Sequence, residues 1–213
     1  MTSVEKIVKK VGVSSLACFC LLVICYLIML FLLRRTTSRN EQIEGELDIA
    51  ASIQKQMVPL DFSVFPERHG YNLHGFLQPA KTMGGDLLDY VLHDDKLFFC
   101  IGDVSGKGMP AALFMSEVHV LFHHILAFEH EPAHICAAIN NSMSENNDSS
   151  MFCTLFLGVI DFKTNILSYC NAGHNPPATI SSEGKAEFLS VEPNIALGLI
   201  ADFPYQSQQI EFP

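Results

Sequence analysis

Charged side chains are scarce in this 213-residue chain: they make up 17% of it, against 49% apolar residues. That balance excludes a disordered polypeptide. Gly (13) and Pro (10) are few and follow no period, which excludes collagen-like and low-complexity classes. There is no internal repeat. Basic residues are outnumbered, 13 Lys+Arg against 23 Asp+Glu, for a formal charge of −10. Residues 1–33 hold Lys6, Lys9, Lys10 and Glu5, so the rest carries 10 basic and 22 acidic groups, a net of −12. Such a surface repels phosphate backbones and anionic lipid, so nucleic acid is excluded as a partner, while an acidic site attracts cations. No CxxC occurs. Cys100, Cys136, Cys153 and Cys170 stand singly in apolar runs and read as small buried hydrophobes in a reducing compartment, not as disulfides or a zinc site.

Val11–Leu33, VGVSSLACFCLLVICYLIMLFLL, contains no charge. As a helix these 23 residues span roughly 35 Å, enough for about 30 Å of hydrocarbon. They are too long for a signal h-region, and no small-residue cleavage site precedes Arg34-Arg35. The expectation is a retained single-pass membrane helix over 11–33, after a tail of residues 1–10. Flanking charge is balanced, Lys6, Lys9 and Lys10 before and Arg34, Arg35 and Arg39 after, and sets no orientation.

Residues 34–59 read as a helical linker. Ile43, Leu47, Ala50, Ile53 and Met57 form a narrow stripe, and Pro59 ends it. The stripe pairs with a second copy, docks on the following domain, or is plain linker. A homodimer through 36–58 is one of these three readings.

From residue 60 the pattern is that of a mixed domain. Strands are predicted at Asn72–Leu77, Asp86–Leu92, Leu97–Asp103, Phe152–Ile160, Ile166–Asn171, Ala178–Ser181, Ala186–Ser190 and Tyr205–Ile210. A helix from Pro110 buries Phe114, Val118, Leu121, Phe122 and Ile125, and a second over about Pro132–Met143 buries Ile135 and Ile139. The order indicates an α+β fold with antiparallel sheets and helices packed against them.

Residues 84–108, GGDLLDYVLHDDKLFFCIGDVSGKG, carry the chemistry. Two apolar strands flank a polar break, His93-Asp94-Asp95-Lys96. A loop symmetric about Asp94-Asp95 sets Leu92 against Leu97, Tyr90 against Phe99, Leu88 against Ile101 and Asp86 against Asp103. Opposed Cβ atoms lie about 4.5–5.5 Å apart, where like charges destabilise each other. Either one carboxyl keeps its proton or a hard cation sits between them. Gly84-Gly85 and Gly102 leave room for the approach. Asp89 has the opposite parity and points to the other face, toward Cys100, so it is not a ligand of that ion. Ser105-Gly106-Lys107-Gly108 lacks the first glycine and the final Ser/Thr of a nucleotide loop. It does run into a helix N-terminus, a neighbour suited to an anion.

Three weaker signals remain. His119 and His123, four apart on the first domain helix, have zinc-like spacing without HExxH, and read as a solvated face opposite Phe114 and Val118. His174, in a loop between strands, either orients a loop near the site, binds substrate, or makes a structural hydrogen bond. Lys107 either meets a substrate phosphate or is solvated.

Gly84-Gly85-Asp86, then Gly102-Asp103-Val104-Ser105-Gly106-Lys107-Gly108 with Pro110-Ala111-Ala112, then Met151-Phe152 with Thr154-Leu155-Phe156, then Asn171-Ala172-Gly173-His174-Asn175-Pro176-Pro177 occur in this order. Together they resemble the metal-dependent protein phosphatases of the PPM superfamily, in the branch with SpoIIE and RsbU. ELDIAASIQKQMVP at 46–59 resembles the helix preceding that domain in membrane-linked members. The resemblance covers roughly residues 44–213. It implies an antiparallel β-sandwich flanked by helices and two Mn²⁺ or Mg²⁺ ions, with metal-bridged water attacking phosphoserine or phosphothreonine. It implies that Asp103 bridges both ions, that Asp86 binds one, and that the Val104 carbonyl is a backbone ligand; these aspartates serve catalysis by holding the ions. It implies a cytoplasmic domain acting on a small regulatory phosphoprotein of the anti-anti-sigma type. The chain stops at Ile210-Glu211-Phe212-Pro213, before the GD-containing strand and YTDG-type motif of that family, so the expectation is a domain lacking its C-terminal ligands. The alternative to a working enzyme is an inactive, membrane-tethered binding or scaffold protein, or a gene fragment.

Overall fold

The computed structural model describes residues 3–58, 72–78, 83–145, 147–181 and 183–211. The chain divides into two compact units, Met1–Ile49 and Ala50–Pro213. The first helix, α1, runs from Ser3 to Met57. Pro59, the expected stop, lies outside the described residues. Among the described residues α1 is the one helix long and apolar enough to cross a membrane; its most apolar window within Leu21–Met57 has a mean hydropathy of 1.7 and no buried part. Large apolar side chains from Leu21 to Leu33 are exposed around the whole helix circumference.

The second unit is built on a five-stranded antiparallel sheet of order β1-β2-β3-β4-β7. Its strands are β1 (Asp86–His93), β2 (Lys96–Val104), β3 (Cys153–Asp161), β4 (Ile166–Ala172) and β7 (Gln208–Glu211). Helices α2 (Met109–Ile125) and α3 (Pro132–Ser144) lie between β2 and β3 in sequence, and β5 (Ala178–Ile180) and β6 (Ala186–Phe188) form a separate hairpin. This is the expected α+β class with antiparallel pairing. Of the expected sandwich, the described residues form this one large sheet, and the only second sheet among them is the β5–β6 pair.

Both faces of the sheet are covered. On one, Leu87, Phe98, Cys100, Leu155 and Leu157 meet Val118 and Phe122 of α2 and Ile135 and Ile139 of α3. On the other, Leu97, Phe156, Ile160, Leu167 and Tyr169 pack with Leu73, Leu189 and Val191. The central strand β3 therefore reads as a near-continuous apolar run, because its side chains are buried in both directions. Four cysteines, Cys100, Cys136, Cys153 and Cys170, are free and buried, as the sequence implies.

Two expected strands differ. Asn72–Leu77 forms no ladder; its residues alternate between exposed and half-buried, so the period-two signal reflects an extended segment that covers the second face without pairing. Tyr205–Ile210 shortens to β7 because Tyr205 turns inward and its hydroxyl donates to the Ala196 carbonyl at 3.4 Å. Asn140-Asn141-Ser142 and Asn147-Asp148-Ser149 match the N-x-S glycosylation pattern, but both leading asparagines are structural. Asn140 Nδ2 donates to the Ile200 carbonyl at 2.8 Å, and Asn147 Nδ2 donates to the carbonyls of Met151 and Gly198.

Candidate functional site

The β1–β2 turn consists of Asp94 and Asp95, since His93 pairs with Lys96. Asp94 adopts φ 53°, a left-handed conformation that aspartate tolerates. A two-residue loop preserves the even register. Asp86 stands opposite Asp103, Leu88 opposite Ile101, Tyr90 opposite Phe99, and Leu92 opposite Leu97, all as the sequence predicts.

Asp86 and Asp103 share the sheet face that looks away from α2 and α3. Asp86 is half-buried and Asp103 exposed. Burial first, then the charge of Asp103 and a hydrogen bond to it, raise the Asp86 carboxyl above its ordinary value of 3.8. This is the like-charge conflict expected of opposed carboxylates. The donor set suits a hard divalent cation, whose charge removes the repulsion and whose oxygen preference the carboxylates meet.

Two glycines allow the approach. A Cβ on Gly102 would lie 2.9 Å from the Thr154 carbonyl oxygen and 3.0 Å from Leu155 Cδ1. A Cβ on Gly85 would lie 3.0 Å from Val104 Cβ and 3.1 Å from the Val104 carbonyl oxygen. The Val104 N–H donates to the Gly85 carbonyl at 3.3 Å, so the backbone of Val104 is held beside the Gly84–Asp86 turn. The loop that follows is pinned to the start of β3. Ser105 N–H donates to the Phe152 carbonyl at 2.8 Å, and Phe152 N–H donates to Ser105 Oγ at 3.0 Å. Gly106 and Gly108 take φ of 88° and 75°, which turns the chain into α2 and leaves Lys107 exposed between them.

His174 belongs to this neighbourhood. Asn171 clamps its backbone, accepting from the His174 N–H at 3.1 Å and donating to its carbonyl at 2.8 Å. Its Nδ1 lies 2.9 Å from Thr154 Oγ1, which in turn donates to the Asp103 carbonyl at 3.2 Å. Burial lowers the imidazole below its ordinary 6.5 although the nearby Asp103 charge pulls the other way. Burial thus favours the neutral ring. Of the expected roles, the structural hydrogen bond is the one these contacts make.

Two features depart from the sequence reading. The solvated-face reading holds for His123, which is exposed, but not for His119, and both rings turn to one carboxylate. Both ring nitrogens reach the buried Asp89 Oδ2, from His119 Nδ1 at 2.7 Å and from His123 Nε2 at 2.8 Å. The buried stripe of α2 is Ala111, Met115, Val118, Phe122 and Ile125, which puts the histidines on its flank against β1, where Asp89 emerges. Strand parity places Asp89 on the face opposite Asp86, and a carboxylate buried on that face requires partners. The second feature is Gln54. Its side chain donates to the Gly84 carbonyl at 2.7 Å and accepts from Gly84 N–H at 3.3 Å. Docking of the linker end rests on this buried amide and on Val58, while Ile53 of the apolar stripe is 58% exposed. A lone glutamine in a polar helix carries no signal of this in the sequence.

The family model of Stage II sporulation protein E (SpoIIE) matches residues 93–213. Phosphoserine phosphatase RsbU of Bacillus subtilis is 27% identical over 167 residues, covering 78% of this chain and 49% of its own length. Protein IcfG of Synechocystis is 30% identical over 196 residues, with coverages of 78% and 30%. The chain therefore spans half or less of these curated relatives. Among solved structures, the SiaA-PP2C domain of Pseudomonas aeruginosa superposes with a TM-score of 0.68 at 22% identity, over 82% of this chain and 69% of that one. The topology is thus that of a PP2C phosphatase domain, and the chain belongs to the SpoIIE family.

Proposed function

We propose that this chain is the membrane-anchored part of a serine/threonine protein phosphatase that acts on a regulatory phosphoprotein. The carrying observation is the face-to-face placement of Asp86 and Asp103 on adjacent strands, beside a glycine-shaped loop and a clamped histidine. Asp86, Asp103 and the Val104 carbonyl are the residues that would hold Mn²⁺ or Mg²⁺. When bound, such ions lower the pKa of water and neutralise charge developing on the phosphoryl group. Thr154 and the neutral His174 fix the rim next to Asp103. Lys107, exposed just before α2, would meet the substrate's phosphate near the helix N-terminus, where N–H groups favour an anion.

In this reading residues 11–33 anchor the chain in a membrane, supported by the uncharged run and the exposed apolar side chains from Leu21 to Leu33. The domain faces the cytoplasm, the substrate is a phosphoprotein of the anti-anti-sigma type, and a second copy pairs through residues 36–58. The test is phosphate release from a phosphoserine peptide by the full chain in detergent, with Mn²⁺ or Mg²⁺ supplied. Metal-dependent release that falls at least about a hundredfold in Asp103→Ala supports an enzyme. Failure to release phosphate at any metal concentration, with the peptide still bound, supports the inactive binding protein.

A further inference from the structure

We propose that Asp89, His119 and His123 form a second metal site, one that takes a transition ion of the zinc class, on the sheet face opposite Asp86 and Asp103. This stands independently of the phosphatase reading. Asp89 is 1% exposed and offers one carboxylate oxygen, Oδ2, to both imidazoles. The other oxygen, Oδ1, is already used, accepting from the Tyr90 N–H at 2.7 Å. The i,i+4 spacing places both rings on one side of α2, with centroids 4.6 Å apart. All three ligand atoms lie within 4.8 Å of one another.

Hydrogen bonding explains only half of this cluster. His123 Nε2 makes a sound bond to Asp89. His119 Nδ1 is buried and just as near the same oxygen, yet no hydrogen bond of acceptable angle satisfies it. Buried polar atoms of this kind call for a partner. A four-coordinate ion provides one. Bonds of about 2.0–2.1 Å in tetrahedral geometry separate neighbouring ligand atoms by about 3.3 Å. The two N···O distances of 2.7 and 2.8 Å therefore need to open by only about half an ångström. A ligand set of two imidazoles and one carboxylate is the set that zinc favours, whereas Mg²⁺ prefers oxygen alone. His123 is 44% exposed, which leaves a path for the ion and a fourth position for water. Cys100, opposite Asp89 on β2, is fully buried and holds its proton, so it does not compete as a ligand. An ion here would clamp α2 to β1, the strand that carries Asp86.

Co²⁺ is the probe, because four-coordinate Co²⁺ with nitrogen ligands absorbs strongly in the visible, while an all-oxygen six-coordinate site absorbs weakly. The full chain in detergent, stripped with chelator and held in excess Mg²⁺ at pH 7.5, is titrated with Co²⁺. The expected result is an intense band that saturates at an equimolar amount and is displaced by Zn²⁺. It persists in Asp103→Asn and disappears in His119→Gln and in His123→Gln. No intense band in the wild type, or a band retained in both histidine variants, overturns the proposal. His123→Gln changes a half-exposed side chain and so preserves the fold. A Zn²⁺-induced rise of the wild-type denaturation midpoint, lost in His123→Gln, gives an independent reading; no rise overturns the proposal.

Discussion

Asp86 and Asp89 sit on the same strand, three positions apart, and face opposite sides of the same sheet. Asp86 meets another carboxylate and holds its proton more tightly than usual; Asp89 meets two imidazoles and holds it less tightly. Asp89 is the more buried of the two, and burial by itself raises a carboxyl's pKa; the two imidazoles beside its Oδ2, His119 and His123, outweigh that burial. The contrast shows that identical side chains on one strand acquire their chemistry from whatever packs on each face. A face left half-open next to a like charge suits a hard cation, and a closed face under a helix suits a satisfied polar cluster or a softer ion.

The strongest blow to the Asp86–Asp103 side is Gly102→Ala. Its new methyl would collide with the Thr154 carbonyl and Leu155, forcing β2 from β3 beneath Asp103. A loss of about 3 kcal/mol in chemical denaturation is expected. A loss near zero would show that the close approach is not demanded by packing. Next comes Asp89→Ala, which leaves His123 without its acceptor and His119 without the carboxylate beside it. Metal-free protein should lose about 2 kcal/mol at pH 6. An unchanged midpoint would make the cluster incidental.

The smaller effects are in pH dependence. Asp89 is depressed, so its contribution is present above 3.8 and vanishes as pH falls through its lower folded value. His123 is raised, chiefly by its hydrogen bond to Asp89, so its contribution is complete below 6.5 and disappears as pH rises through its higher folded value. Denaturation midpoints of metal-free protein should therefore decline above pH 6.5, and Asp89→Ala should flatten that decline. Asp86 works in the opposite sense to Asp89. Its raised value makes the fold lose stability as pH climbs from 3.8, and Asp86→Asn should remove this loss. Added Mg²⁺ at pH 7 should restore stability to the wild type and do less for Asp86→Asn. Equal Mg²⁺ response in both proteins would argue against a cation between the aspartates.

Much of the fold was readable because alternation and turn chemistry are local. The even two-residue turn at Asp94-Asp95 was enough to set Asp86 against Asp103, and Pro110 and Pro132 marked both domain helices to within one residue. The reading failed where a partner comes from far along the chain. Asn72–Leu77 has strand periodicity, but a ladder depends on a neighbouring edge that no local pattern specifies. His119 and His123 looked solvated because helical periodicity alone does not say which flank of an apolar stripe meets a buried carboxylate. Gln54 was invisible for the same reason, since its partners at Gly84 lie 30 residues away.

Sequence alone determined the uncharged N-terminal run, and it indicated the hairpin register and the meeting of two aspartates, because an even loop about Asp94-Asp95 keeps strand parity where an odd one would break it. Tertiary packing alone decided that Asp89 gathers two histidines, that His174 reaches Asp103 through Thr154, and that Gln54 holds the glycine turn. Those contacts join segments whose separation in the chain is bridged only when the helices close on the sheet, and the free energy of that closure comes from apolar burial that is indifferent to which polar atoms it brings together.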